Sequence, residues 1–213
     1  MNILVKKIVL AILSVGVLGV LYSAYLLTHK VETAQTNQLA ALLSVLPEEQ
    51  LLLDGVQKSA DCQIQGSLPD HGCSPGAIFQ DATKEEICVP GYSATVRKVS
   101  TSLKKKVFAE YGILYPVPFG SYEVDHVIPL AIGGSNDIAN LFPEASDPYP
   151  GFKEKDVVEN YLHEEVCASR VALNVAQVRI ANNWLEIYNN LDPKIVRDFK
   201  NKYHNWSDRA GSE

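Results

Sequence analysis

The segment SYEVDHVIPLAIGGSNDIANLFPE, from Ser121 to Glu144, constrains the fold more than any other part of the chain. β-Branched residues surround its first polar pair, so Tyr122 to Leu130 is predicted to form a strand. Gly133-Gly134 provides a turn with permissive dihedral angles, and Ile138 to Phe142 is predicted to form a returning strand. The chain is therefore expected to fold around a β-hairpin.

The first predicted strand carries an acid next to an imidazole, Asp125 and His126. Such a pair is costly to hold inside an apolar strand unless a metal or substrate compensates it, so it is predicted to belong to a functional site. Neighbouring strand residues point to opposite faces, and we therefore expect the pair at a strand end or a distortion. Glu123 points the same way as Asp125, either as a further acid of the site or as part of a solvated strand face.

The pattern DHxxPLxxGG…NLxPE in this segment resembles the ββα-metal, or HNH, nuclease motif. The likeness spans Tyr122 to Cys167, and the wider run from Cys73 to Trp184 resembles small exported bacterial HNH endonuclease-like proteins. It is carried by the pieces CSPGA, ICVPGYSATVR, YEVDHVIPLAIGG, NLFPE and KDVVENYLHEEVC. The resemblance implies an α+β fold, with a ββα-metal core that has additional helices and is preceded by an N-terminal transmembrane helix.

The resemblance also implies roles for individual residues. His126 would be the general base that deprotonates the attacking water, since an imidazole titrates near neutral pH. Asp125 would bind a divalent cation through oxygen. Asn140 matches the middle Asn of the motif, which fixes the loop around the base, and Arg97 is the first candidate to grip a phosphate.

The third metal ligand departs from the plain HNH pattern, because the start of the closing helix, GFKEKD, contains no His. His163 follows Glu159 by four residues, and this spacing places both on one helix face. The two are therefore candidate ligands beside Asp125 and Glu123, with His163 ahead. The alternative is an ordinary helix on which His163 packs locally. Oxygen-rich ligands favour Mg²⁺, with Mn²⁺ or Zn²⁺ as alternatives.

The expected substrate partner is nucleic acid, with DNA favoured and RNA as the alternative. Lys153 and Lys155 near the start of the closing helix are further candidates for phosphate contacts, and the run Lys104-Lys105-Lys106 could follow a nucleic-acid backbone or be a solvated helix face. The composition argues against general attraction, because 25 acidic and 19 basic residues give a formal charge of −6.

The N-terminus predicts where the protein acts. Lys6 and Lys7 precede an uncharged run from Ile8 to Leu27, long enough to span a membrane. Positive charge before the span favours a cytoplasmic N-terminus and an extracytoplasmic body, that is, a single-pass inner-membrane protein. Cleavage after Ala34 would instead release a secreted protein.

The cysteines agree with an oxidising destination. Cys62, Cys73, Cys88 and Cys167 lack close CxxC spacing and allow three pairings. The interpretation favours Cys62 with Cys73 and Cys88 with Cys167. The second bond would tie the segment before the core to the end of the closing helix. The alternative is one disulfide and two free thiols.

The chain is divided into a membrane anchor at residues 1–30, a helical spacer at 31–60 and the HNH-like domain at 61–213. Within the domain, residues 61–81 are predicted to be loop. Helices are predicted at 100–112, 152–168, 174–190 and 193–206, the third beginning with a capping box between Asn174 and Gln177. Trp184 is interpreted as a core residue.

Two classes of function are consistent with this sequence. The first is an extracytoplasmic endonuclease that uses His126 and a divalent metal ion. The second is a non-catalytic exported module that binds nucleic acid or protein on the same fold, without one of the metal ligands.

Overall fold

In a computed structural model of the protein, the described residues are Tyr25 and 58–207, with side chains described up to Tyr203. This part of the chain is a mixed α+β fold, which confirms the predicted class. None of its helices has the length and apolar character needed to cross a bilayer. The predicted membrane span and almost all of the predicted spacer lie outside the described residues.

The described elements follow one another within the unit Pro47–Glu213. They are α1 (Lys84–Ile87), α2 (Tyr92–Val96), α3 (Thr101–Glu110), β1 (Tyr122–His126), β2 (Leu141–Ala145), α4 (Phe152–Cys167), α5 (Leu173–Asn190) and α6 (Pro193–Ser207).

The two strands pair antiparallel but are placed differently from the prediction. β1 ends at His126, and the chain then enters a 3₁₀ turn at Leu130–Ile132. A second 3₁₀ turn, at Ile138–Asn140, precedes β2. Pro129 explains the early end of β1, because a proline cannot donate to a strand ladder. The Gly-Gly pair therefore lies within a long structured connection and not in a tight hairpin turn.

Gly134 in this connection is required by close backbone approach. A Cβ atom at this position would lie 1.7 Å from the carbonyl oxygen of Ile128. Gly133 has a φ of 81°, a conformation that favours glycine. The two glycines thus allow the connection to fold back against the residues that follow β1.

The start of α5 differs from the predicted capping box. The helix begins at Leu173, Ala172 is its N-cap, and no side chain caps it. Gln177 is instead buried and donates from Nε2 to the carbonyl oxygen of Ile132 at 2.8 Å. This bond ties α5 to the connection between the strands, which is a tertiary role that a local sequence pattern does not reveal.

The core lies between the hairpin and the helices. α3 packs on both strands, and α4 packs against α5, α6 and the first 3₁₀ turn. Trp184 is fully buried and donates from Nε1 to the carbonyl oxygen of Ser67 at 3.1 Å, which confirms its role in the core. The largest fully buried apolar side chains include Phe142, Ile128, Leu162 and Ile180.

Two disulfides are present, and the favoured pairing is confirmed. Cys62 bonds to Cys73 within the loop that precedes α1. Cys88 bonds to Cys167 and joins the end of α1 to the end of α4. The described region contains no free cysteine.

Candidate active site

His126, the last residue of β1, has an unused nitrogen inside the protein. The residue is 2% exposed, and Nε2 has no hydrogen-bond partner among the described residues. Burial lowers the pKa of His126 to about 4, with Arg97 and Lys155 acting in the same direction and Asp125 opposing them. The imidazole is therefore neutral at neutral pH and able to accept a proton at Nε2. Its position at the strand end agrees with the expectation for this pair.

Lys155 of α4 lies beside the pair and is 1% exposed. Its ammonium donates to Asp125 Oδ2 at 2.6 Å and to the carbonyl oxygen of His126 at 2.8 Å. It also pairs with Glu159 one helical turn later, and Glu144 Oε2 lies 3.9 Å away. A buried cation thus joins the end of β1 to the helix that closes the site. It is not the surface phosphate contact that the sequence suggested.

More carboxyl groups surround this ammonium than one positive charge can neutralise. Glu144 is fully buried, and in the described region neither of its oxygens has a hydrogen-bond partner. Burial raises the pKa of Glu144 well above its usual value, and raises that of Glu159 to about 8, with the charge of Asp125 adding to both effects. These two groups therefore hold protons at neutral pH.

Asp125 is the ionised member of the group. Burial alone would raise its pKa, but the positive charge of Lys155 holds the pKa of Asp125 well below its usual range. Burial raises the pKa of Glu123 to about 7 and that of Asp156 to about 7, with the charge of Asp125 contributing to both. The site is a set of closely spaced carboxyl groups, of which only some are ionised.

Three of the four metal ligands suggested by the sequence are brought together. Asp125 and Glu159 contact the same ammonium, and both influence the pKa of Glu123. Asp156 and Glu144 were not predicted from the sequence as part of the site, although the spacing of each along its helix or strand points toward a predicted ligand. Asp156 precedes Glu159 by three residues on α4, and Glu144 pairs with Glu123 in the strand register.

His163, the leading ligand candidate, contacts a different part of the protein. Its Nε2 lies 3.1 Å from the carbonyl oxygen of Ile87 and 3.4 Å from Cys167 Sγ. The potential ligand atoms of Cys88, His163 and Cys167 are all within 4.8 Å of one another. The two cysteines form a disulfide, however, and zinc binds thiolates. In the oxidised protein His163 therefore packs at the disulfide.

Arg97 is placed near the imidazole by the segment that follows α2. Its charge lowers the pKa of His126. The Asn136 side chain holds this segment, since Nδ2 donates to the Val96 carbonyl at 2.8 Å and Oδ1 accepts from Lys98 N at 3.0 Å. Arg97 is thus an exposed residue whose positive charge acts on the buried imidazole.

Asn140 organises the backbone around the site through four hydrogen bonds. Its Oδ1 accepts from the backbone N–H of Ile128 at 2.8 Å and of Ala77 at 3.2 Å. Its Nδ2 donates to the carbonyl oxygens of Ile128 at 2.9 Å and of Ser135 at 2.8 Å. The amide is completely buried and uses its full bonding capacity, so it positions the loop and does not face a substrate.

In comparisons with known proteins, the chain matched no family model, no curated protein and no solved structure.

Proposed function

We propose that the protein is a metal-dependent endonuclease that hydrolyses phosphodiester bonds of DNA or RNA outside the cytoplasm, on an HNH-like ββα core formed by β1, β2 and α4. The observation that carries this proposal is the buried neutral His126, whose Nε2 has no partner among the residues that the structure describes and whose pKa responds to the charges of Asp125 and Arg97. The two disulfides support an oxidising compartment.

The residues supply two requirements of phosphodiester hydrolysis. His126 would take a proton from the attacking water at Nε2, and its lowered pKa keeps it unprotonated at neutral pH. Arg97 would bind a non-bridging phosphate oxygen through its guanidinium. Asn140 holds the strand connection so that the imidazole keeps its orientation.

The donor chemistry of the site fits a hard divalent cation such as Mg²⁺ or Mn²⁺, because Asp125, Glu159 and Glu123 offer only oxygen atoms. Such an ion would neutralise charge on the phosphate and on the leaving oxygen. It would compete with Lys155 for oxygens of Asp125 and Glu159.

The same lysine supports a second candidate function. An ammonium already neutralises the carboxylate that an HNH-type site would use for its metal. A non-catalytic exported module that binds nucleic acid or protein would keep the fold with Lys155 as a permanent counter-ion.

Plasmid and RNA digestion by the full-length protein separates the two candidates. We expect cutting with Mg²⁺, no cutting in EDTA, and at least about 100-fold slower cutting by His126→Ala, since a general base contributes about 10²–10⁴-fold. His71→Ala, at an exposed imidazole, is the matched control. Equal background cutting by wild type and His126→Ala would contradict the nuclease.

Calorimetric titration with Mn²⁺ tests the metal site independently of activity. We expect Asp125→Asn to abolish binding. Because the contacts of His163 are made at the disulfide, we expect His163→Ala to keep the affinity. Loss of binding in His163→Ala with unchanged thermal stability would instead make His163 a ligand.

A further inference from the structure

The loop of residues 113–120, which leads from α3 into β1, exposes large apolar side chains. Leu114 and Phe119 are 90% and 89% exposed, and Tyr115 is 47% exposed. Exposed aromatic rings near a basic surface are a means of binding unpaired nucleotides, because every base has a face that can stack.

The 113–120 loop is anchored at both ends. At its start, Ile113 N donates to the carbonyl oxygen of Phe108 at 2.9 Å, and the Phe108 ring lies 6.0 Å from that of Tyr115. At its end, Ser121 donates from its backbone N–H and its hydroxyl to the Pro118 carbonyl. Pro116 and Pro118 also restrict the backbone. The backbone of the loop and the Tyr115 ring are therefore held in place, which reduces the entropy lost on binding.

Positive charge accompanies the rings. Lys105 Nζ lies 5.2 Å from the centroid of the Tyr115 ring. Lys104 precedes Lys105 on α3, and its positive charge lowers the pKa of Glu123. In the described part of the chain neither lysine has a carboxylate within 4 Å. Both ammonium groups can therefore interact with phosphates.

The loop also lies within reach of the site. Phe119 is six residues before Asp125, a separation of roughly 20 Å at full extension. A short stretch of single strand can span this distance, since grooves with stacking rings accommodate about 4–16 nucleotides.

We propose that the 113–120 loop, with Lys104 and Lys105, is a binding surface for single-stranded nucleic acid that leads an unpaired strand to His126. Phe119 stacks on a base, and the two lysines contact the phosphates. This inference rests on the proposed nuclease function and specifies its substrate as an unpaired strand.

Binding is measured by fluorescence anisotropy with a fluorescein-labelled 12-nucleotide single-stranded DNA, using the full-length protein in detergent with His126→Ala and EDTA to prevent cutting. We expect Phe119→Ala and Phe119→Leu each to weaken binding on the order of 10-fold, the effect of losing one stacked base. Leu114→Ala removes an equally exposed side chain without a ring and should leave the affinity unchanged.

Two lysine variants test the phosphate contacts. Lys105→Gln should reduce the slope of log affinity against log salt by about 0.7, the value for one phosphate of a single strand. Lys106→Gln is the matched control, because Lys106 is the next residue on the same helix, is also exposed, and within the described region makes no cation–π contact with Tyr115, the ring that Lys105 contacts. An unchanged slope for Lys105→Gln would contradict a phosphate contact.

The outcomes separate this proposal from its alternatives. Undetectable oligonucleotide binding, or equal binding by wild type and Phe119→Ala, overturns it. A second result would also overturn it. If the protein binds phosphatidylglycerol vesicles, and Phe119→Leu keeps this binding while Leu114→Ala weakens it, the loop inserts into membranes and does not stack on bases. Ring-dependent binding without cleavage by wild type would uphold the surface and refute only the nuclease.

Discussion

At the scale of single residues, the site depends on side chains whose polar groups are matched inside the protein. Asn140 is the clearest case, because one amide bonds to both backbone groups of Ile128 and also to Ala77 and Ser135. An aspartate at this position could accept hydrogen bonds but could not donate them.

We expect Asn140→Asp to lower the free energy of unfolding by roughly 3 kcal/mol, because two buried carbonyl oxygens lose their donor and face a carboxylate. Urea denaturation followed by circular dichroism measures the change. Asn190→Asp is the matched control, since the Asn190 amide donates to the Glu186 carbonyl on the exposed end of α5. Equal losses in both variants would contradict the buried role of Asn140.

The raised pKa of Glu159 predicts how stability depends on pH. The folded protein keeps a proton on Glu159 up to about pH 8, whereas the unfolded chain loses it near 4.5. The unfolded state thus binds fewer protons in this window, and the free energy of unfolding falls as pH rises from about 4.5 to 8.

In Glu159→Gln this contribution disappears. We expect the decrease in unfolding free energy between pH 5 and 8, in EDTA, to be smaller than in wild type by at least about 1 kcal/mol. His126 makes the free energy of unfolding rise with pH, because its pKa is lowered in the folded protein. This contribution is the same in both proteins and cancels in the comparison. Parallel pH curves for the two proteins would refute this assignment.

At the scale of elements, α4 presents three polar side chains along one face. Lys155, Glu159 and His163 follow at intervals of four residues. Lys155 contacts the hairpin and pairs with Glu159, and His163 lies against Ile87 and the disulfide. The helix therefore links the polar site to the covalent bond at its far end.

Lys155→Met tests the buried cation of this helix. Removing the charge leaves Asp125 and its neighbouring carboxyl groups without a counter-ion, and we expect a loss of roughly 3–5 kcal/mol in stability. Mn²⁺ should raise the melting temperature of this variant more than that of wild type, because a divalent cation can replace the lost charge.

Lys153→Met provides the control for Lys155→Met, since Lys153 is exposed on the same helix and takes part in no ion pair within the described region. A thermal-shift assay with and without Mn²⁺ measures both proteins. Similar melting temperatures for the two variants would show that the buried ammonium does not stabilise the carboxyl cluster.

At the scale of the whole described region, the two disulfides differ in the length of chain that they close. Cys62 and Cys73 are 11 residues apart, whereas Cys88 and Cys167 are 79 apart. A longer closed loop restricts the unfolded chain more strongly.

We expect the double variant Cys88→Ser/Cys167→Ser to lose roughly 4 kcal/mol, and Cys62→Ser/Cys73→Ser to lose about 1–2 kcal/mol less than that. Urea denaturation of each non-reduced variant measures the difference. The prediction is wrong if the short-loop variant is the less stable of the two.

The sequence identified much of the hairpin, the closing helix and the disulfides, because these depend on local patterns and pairings. It did not identify the position of Lys155, because a lysine at the start of a helix normally faces solvent. The long strand connection and the role of Gln177 also required tertiary contacts that periodicity does not encode. The proximity of Glu144 to Glu123 depended on knowing the strand register.

The covalent link from α1 to α4 has a consequence for the organism that makes the protein. Thiols stay reduced in a cytoplasm, so a newly synthesised chain there lacks the Cys88–Cys167 bond and the stability that it provides. The fold therefore reaches its full stability only where these two thiols are oxidised, and a reducing agent should weaken it even when every other side chain is intact.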